Sequence, residues 1–359
     1  MKTGIVGLRR VGKTTLFNII TGAAAPTGPG GKVKAHLGVA AMPDERLDYL
    51  GRLYEPRKIT AATAQFVDMP GVEPDEMKES AYLTGLRLVD ALVHVVRTFR
   101  DETVPHPAST VDPGRDAADM ELEMILADLF QAERRLEKLD KDLRKVKDKD
   151  LLAEQAVLQR VREFLAGERP LRELTLSPDE EKRIRGFTFL SRKPLLLVLN
   201  MDEADVAYLG TAVDHFGLTG WRDRTGVALT GVCGKIEEEF SRLTPEDART
   251  FMDDLGIPEP GLHRLLRENY RLLGLITFFT VGKDEVRAWT VRRGTTAPEA
   301  AGTIHSDLEK GFIRAEIAAY DQFVACGSMP ALKERGLLRL EGRDYVVQDG
   351  DIMLVRFNV

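Results

Sequence analysis

The sequence predicts an α/β protein: a mostly parallel, doubly wound sheet, a helical arm inserted into it, and a smaller C-terminal module rich in strands. Three observations carry this. Short apolar runs alternate with helical stretches along the first and middle parts of the chain, the pattern of parallel strands covered by helices. Leu122, Ile125, Leu129, Ala132, Leu136, Leu139, Leu143 and Val146 are spaced alternately by three and four, a heptad seam that interrupts that alternation. Near the C-terminus, residues 276–281 and 288–291 are strand-like and flank a turn at 282–285. The length, 359 residues, fits two or three domains at roughly 100–200 residues each.

Ile5 and Val6 end the first strand. Gly7-Leu8-Arg9-Arg10-Val11-Gly12-Lys13-Thr14 follows and fits G-x-x-x-x-G-K-[ST], with Thr15 leading into a helix. Gly7 and Gly12 permit backbone dihedrals closed to other residues and a close approach to phosphate. Successive backbone N–H groups then form an anion nest at a helix N-terminus. Lys13 supplies a point charge to the β- and γ-phosphates, and the Thr14 hydroxyl is placed to ligate Mg²⁺. The next element, residues 64–71, is a strand ending in D-x-x-G. Asp68 can hold the water shell of Mg²⁺ and Gly71 can turn its N–H toward a γ-phosphate. Asp, Pro and Gly are also favoured at any strand-to-turn boundary. Val72 stands where Ras-like enzymes carry a water-orienting glutamine. Lys13, Gly71, Val72 and Arg10 are therefore the candidate catalytic positions, and Thr14 and Asp68 the candidate metal ligands.

A buried-strand run at 195–199 ends at Asn200-Met201-Asp202-Glu203. Guanine nucleotidases carry N-K-x-D here, the Asp accepting from the N–H donors of guanine. Glu203 holds that place in this chain and Met201 replaces the Lys. A longer carboxylate misplaces the acceptor, and a site that leaves guanine donors unpaired discriminates strongly. The Asn200 side-chain carbonyl is an acceptor for the adenine N6 amine. A register shifted by one would instead let Asp202 read guanine. A further strand at 226–230 leads to Cys233-Gly234, a small-residue loop of the kind that touches the base through its backbone. The expected nucleotide contacts are thus Gly7 to Thr15 (Leu8, Arg9, Arg10, Val11, Gly12, Lys13 and Thr14 between them), with Asn200, Met201, Glu203, Cys233 and Gly234. The nucleotide-binding domain is assigned to 1–117 and 186–274, the arm to 118–185 and the last domain to 275–359.

Composition excludes several classes. Lys and Arg number 51 against 57 Asp and Glu, a net charge of −6, so the chain is not a polycation built for DNA. Two cysteines, Cys233 and Cys326, make neither a disulfide framework nor a zinc site by themselves. No apolar run reaches the ~18 residues that span a bilayer, and the N-terminus has no signal-peptide core. The expectation is a cytoplasmic protein without a membrane partner. From 134 to 149 there are eight basic and four acidic residues, so the bend of the arm carries positive charge. It is either a solvated coiled-coil face or a contact for RNA phosphate or an acidic partner.

These motifs, together with residues 43–50, 90–99, 111–116, 286–290 and 302–313, resemble the Obg-like ATPase (YchF) family of the translation-factor-related P-loop GTPases, along nearly the whole chain. The resemblance implies an ATPase that tolerates GTP, with Mg²⁺, a β-grasp-like TGS domain at the C-terminus, and association with the ribosome (its large subunit) or RNA through the arm and TGS domain. The altered switch segments of this chain predict slow intrinsic turnover; switch enzymes lacking a positioned water and an arginine finger run at roughly 10⁻⁴–10⁻² per second. The chain departs from the family pattern in three places. Arg9 and Arg10 replace a Pro-Asn pair whose Asn helps to hold potassium in related enzymes; the Arg10 guanidinium either takes the ion's place or is a solvated or salt-bridged arginine. Residues 23–34 differ from the usual first switch, with Thr27 the one hydroxyl that could reach Mg²⁺. After Gly71 the run is short and acidic and lacks the family histidine, leaving Glu73 as a candidate to position water. True GTPase activity, and a nucleotide-sensing RNA- or ribosome-binding protein with negligible hydrolysis, remain the alternatives.

Overall fold

The computed structural model of the chain describes residues 1–25, 35–73, 76 and 80–358. Thr27 lies outside the described residues, as does most of the acidic run after Glu73. Among the described residues the strands are β1 (Lys2–Val6), β2 (His36–Ala41), β3 (Lys58–Thr60), β4 (Thr63–Asp68), β5 (Ala91–Arg97), β6 (Leu195–Asn200), β7 (Val227–Val232), β8 (Leu275–Thr280), β9 (Glu285–Arg292), β10 (Phe312–Ala319), β11 (Arg339–Glu341) and β12 (Asp351–Phe357). The helices that matter here are α1 (Lys13–Thr21), α2 (Glu45–Tyr54), α3 (Ser80–Arg87), α4 (Pro113–Leu143) and α5 (Lys149–Ala166). The contacts divide the chain into two compact units, residues 1–39 with 65–272 and residues 40–64 with 273–359.

In the first unit the sheet order is β2-β4-β1-β5-β6-β7. β1 runs parallel to β4 and β5, β5 to β6, and β6 to β7. Every residue of β5 and β6 is buried, as parallel strands covered on both faces must be. The continuous Leu-Leu-Leu-Val-Leu run of β6 follows from that. The carboxyl ends of β1, β4, β6 and β7 lie along one edge of the sheet. That edge carries the glycine loop, Asp68, Asn200 and Cys233.

The heptad seam becomes the helical arm between β5 and β6. Asp112 caps α4, accepting from the Arg115 N–H at 3.0 Å, with Pro113 at the first helical position. Asp148 caps α5, accepting from the Asp150 N–H at 2.7 Å. Ile125, Ala132, Leu136 and Leu139 pack on Val157, Leu158, Val161 and Leu165. Arg135 pairs with Glu154 at 2.7 Å across the hairpin. Val146, expected in the seam, is 60 % exposed because α4 has already ended.

Glu237 joins two later helices of this unit. Its carboxylate accepts from the Gly261 N–H at 2.6 Å, at the start of the helix Gly261–Leu272. Burial raises its pKa from 4.5 to about 7. The native state therefore holds a proton there that the unfolded chain has released between pH 4.5 and 7. The associated stability is complete below pH 4.5 and lost as pH rises to 7, a swing of about 3 kcal/mol. Glu237→Gln is expected to remove that swing. Urea unfolding of both proteins across this range measures it, and superimposable pH profiles would refute it.

The second unit is a sheet of order β11-β10-β12-β8-β9-β3. β8 and β9 form the expected hairpin, β12 runs parallel to β8, and β10 pairs antiparallel with both β11 and β12. The helix Ala297–Ile304 packs Ala300 and Ala301 on Phe278, Ile317 and Met353. A hairpin and a second antiparallel pair, β10 with β12, joined through the parallel β8–β12 contact and covered by a helix, make a β-grasp-like arrangement. Residues 345–347 form no full strand; Val346 makes an isolated bridge with Thr296. One boundary differs from the sequence reading: residues 40–64, assigned to the nucleotide-binding domain, group with the C-terminal segment. β3 adds to β9 in parallel. On α2, Arg46 reaches Asp349 at 2.8 Å and lies over the Phe279 ring, and Tyr54 stacks on Phe323 at 6.0 Å. No described helix is long and apolar enough to cross a membrane.

Candidate nucleotide-binding site

The glycine loop has the backbone its residue types anticipate. Gly7 and Gly12 sit at φ +139° and +95°. A Cβ on Gly7 would meet the Val95 carbonyl oxygen at 2.5 Å, so the loop lies directly on β5 and tolerates no side chain there. Leu8 and Val11 are buried and anchor the loop from below, while Arg9 and Arg10 point outward. Gly12 caps α1, whose first residues are Lys13, Thr14 and Thr15.

Lys13 is 5 % exposed. Its Nζ donates to the Leu8 carbonyl at 2.5 Å, folding the side chain back over the loop. Burial lowers its pKa to about 8, with Asp68 pulling upward and Arg9 pushing further down. Gly71 lies against this ammonium: a Cβ there would come within 2.9 Å of Nζ. The Thr14 hydroxyl donates to Asp68 Oδ2 at 2.8 Å. Asp68 is 1 % exposed, its other oxygen Oδ1 has no hydrogen-bond partner, and burial raises its pKa. An orphaned carboxylate oxygen beside a threonine hydroxyl and a lysine fits hydrated Mg²⁺, which takes one or two protein oxygens and fills the rest of its octahedron with phosphate and water. Bound there, the ion would neutralise charge on the phosphates.

Asn200 holds the base side together. Its Nδ2 donates to the Val11 carbonyl at 2.9 Å and its Oδ1 accepts from the Gly234 N–H at 3.0 Å. The carbonyl expected to receive adenine N6 is thus already engaged, and the side chain braces the glycine loop against the loop after β7. Met201 is buried, its sulfur packed beneath Gly231. Cys233 is buried too, and its thiol is pushed up by that burial. Asp202 Oδ1 accepts from the Ala204 N–H at 3.1 Å, capping the following turn. Glu203 is half exposed and forms an ion pair with Lys235.

The sequence reading missed what Arg9 does. Its backbone N–H donates to the Val72 carbonyl at 3.0 Å and its Nε to the Gly71 carbonyl at 3.1 Å. Its Nη2 reaches both Glu76 oxygens at 2.8 Å, and Nη1 lies 3.5 Å from Glu73. Arg9 therefore ties the residues after D-x-x-G to the glycine loop. Glu73, considered for water positioning, is drawn into this cluster, and Val72 is buried. An arginine in the loop facing an acidic run was the available signal. Arg10, at φ +63°, donates to the Pro105 carbonyl at 3.4 Å. The loop holding Pro105 is pinned by Arg97, which donates to the Phe99 and Val104 carbonyls, and by His106 against Asp116 at 3.0 Å.

Comparison with known proteins finds relatives along the whole chain. A family model described as 50S ribosome-binding GTPase matches residues 2–158, and the YchF-GTPase C-terminal model, described as a protein of unknown function, matches residues 275–358. The chain is 40% identical over 365 residues to the ribosome-binding ATPase YchF of Bacillus subtilis, covering 100% of both. It is 42% identical over 371 residues to that of Haemophilus ducreyi, covering 100% of this chain and 99% of the relative. The structure of the Schizosaccharomyces pombe YchF GTPase superposes with a TM-score of 0.83 at 30% identity, covering 99% of this chain and 97% of that one. Identity of this order from end to end places the chain in the YchF family of P-loop nucleoside-triphosphate hydrolases.

Proposed function

We propose that the chain is a nucleotide-dependent switch that binds Mg²⁺ with ATP, hydrolyses it slowly to ADP and phosphate, and acts on the ribosome. The observation that supports it most is the Thr14–Asp68 pair, with its orphaned carboxylate oxygen, next to the buried Lys13 ammonium. In this reading Lys13 and the loop N–H groups hold the phosphates, Thr14 and Asp68 hold the ion, and Gly71 faces the γ-phosphate. Water attacks phosphorus in line with the leaving ADP oxygen. Arg10 contributes positive charge at the rim of the loop. The named relatives bind ribosomes, and the bend of the arm leaves Lys141, Arg144, Lys145 and Lys147 exposed, which suits contact with RNA phosphate.

Calorimetry with ATP and GTP, with and without Mg²⁺, followed by single-turnover hydrolysis with and without ribosomes, tests the reading. Magnesium-assisted binding with ATP favoured, turnover stimulated by ribosomes, and ribosome binding that weakens with salt are expected. A wide preference for GTP would make the chain a GTPase. Nucleotide binding with no turnover under either condition would make it a sensor, and no magnesium-assisted binding of either nucleotide would refute the site.

A further inference from the structure

Two residues at the rim of the nucleotide site are joined in a way the catalytic reading does not use. Glu203 follows β6 and Lys235 follows β7, neighbouring parallel strands that pair Asn200 with Val232. Each stands three residues beyond its member of that pair. Asn200, at the end of β6, is tied to the glycine loop through Val11 and to the start of the Lys235 helix through Gly234. The Lys235 ammonium contacts Glu203 Oε2, with 69% and 41% of the two side chains exposed. Asp202, the other carboxylate here, has one oxygen committed to the Ala204 N–H.

We infer that Lys235 is a specificity-determining residue: by occupying one oxygen of Glu203 it leaves a single acceptor, enough for the one exocyclic amine of adenine and too few for guanine. Guanine presents two adjacent donors, N1–H and the N2 amine, and a free carboxylate receives both in a charge-assisted, two-point contact. Pairing with an ammonium occupies one receiving atom and offsets part of the negative charge. The wrong purine is then left with an unpaired donor, which costs more than a missing contact. The inference rests on the reading that Glu203 faces the base, and the experiment separates the two.

Dissociation constants for ATP, GTP and inosine triphosphate, which lacks the N2 amine, are measured for the full chain and for Lys235→Ala, Lys235→Arg, Glu203→Ala and the Glu203→Ala/Lys235→Ala double variant. Both side chains are exposed, so the fold is retained. Lys235→Ala is expected to raise the affinity for GTP relative to ATP by roughly tenfold. Inosine triphosphate should gain less than GTP, the gain should vanish in the double variant, and Lys235→Arg should behave as the natural chain. If Glu203→Ala changes the GTP-to-ATP ratio and Lys235→Ala does not, Glu203 reads the base and the inference about Lys235 is wrong. If Glu203→Ala leaves all three affinities unchanged, the base lies elsewhere and both fail.

Discussion

Lys13→Met is expected to lower single-turnover ATP hydrolysis by at least about 10²-fold, the scale of removing one positioned charge from a developing anion. Its folding stability should change by less than about 1 kcal/mol. The two outcomes separate because of how Lys13 is held. The ammonium is buried, and that burial disfavours its charge, lowering the pKa to about 8. What it gains in compensation is one hydrogen bond to the Leu8 carbonyl and the attraction of Asp68, itself opposed by Arg9. Methionine keeps an unbranched stem of similar volume and removes both the desolvated charge and that bond, which roughly cancel. A triphosphate, by contrast, loses the one buried cation in the loop. Hydrolysis and thermal melting of the same preparation decide the matter: turnover within threefold of the natural chain would show that Lys13 does not touch the reacting phosphate. A large drop in melting temperature would show that it is instead a structural brace.

Much of this site was legible because the residues that make it are close in sequence or stand at strand ends. The G-x-x-x-x-G-K-T loop is local, β4 and β6 end in Asp68 and Asn200, and Cys233 directly follows β7, so all three reach one edge once the strands are parallel. The heptad seam from Ile125 to Leu139 was legible for the same reason: helix periodicity repeats within a few residues. Partnerships between distant segments were not. Arg46 and Asp349 are 303 residues apart along the chain, and nothing in the composition of residues 40–64 shows that α2 covers Phe279 and Phe323. β3 has only three residues, and β2, although apolar from Leu37 to Ala41, is half exposed and lacks the burial of a central strand. Hydrogen-bond directions are likewise invisible in a sequence. Asn200 is expected to offer its carbonyl to the base, yet that oxygen accepts from Gly234 and its amide donates to Val11.

The largest loss of stability is expected from Asp128→Ala, about 3–5 kcal/mol. Asp128 lies on α4 and is 0 % exposed. Its two oxygens accept from the Leu190 N–H at 2.9 Å, the Ser191 N–H at 2.7 Å and the Ser191 hydroxyl at 2.8 Å. Arg87, at the end of α3, adds a charge contact at 3.2 Å. Burial raises its pKa, while those donors and Arg87 act in the opposite direction. Alanine leaves two backbone N–H groups and a guanidinium without their acceptor in a dry site, and each orphaned donor costs ~1–3 kcal/mol. Asparagine keeps one acceptor oxygen and should fall between the two. Asp140 lies on the same helix but is exposed, so Asp140→Ala should change stability by less than about 0.5 kcal/mol. Urea unfolding of the three variants measures the series, and an Asp128→Ala midpoint equal to that of Asp140→Ala would refute it. The segment that Asp128 holds leads directly into β6, the strand that ends in Asn200. The bond that roots the arm is therefore also the one that sets the depth of the strand carrying the base side of the site. Destabilisation by Asp128→Ala should accordingly be accompanied by weaker nucleotide binding, whereas losing the exposed Asp140 should leave binding unchanged.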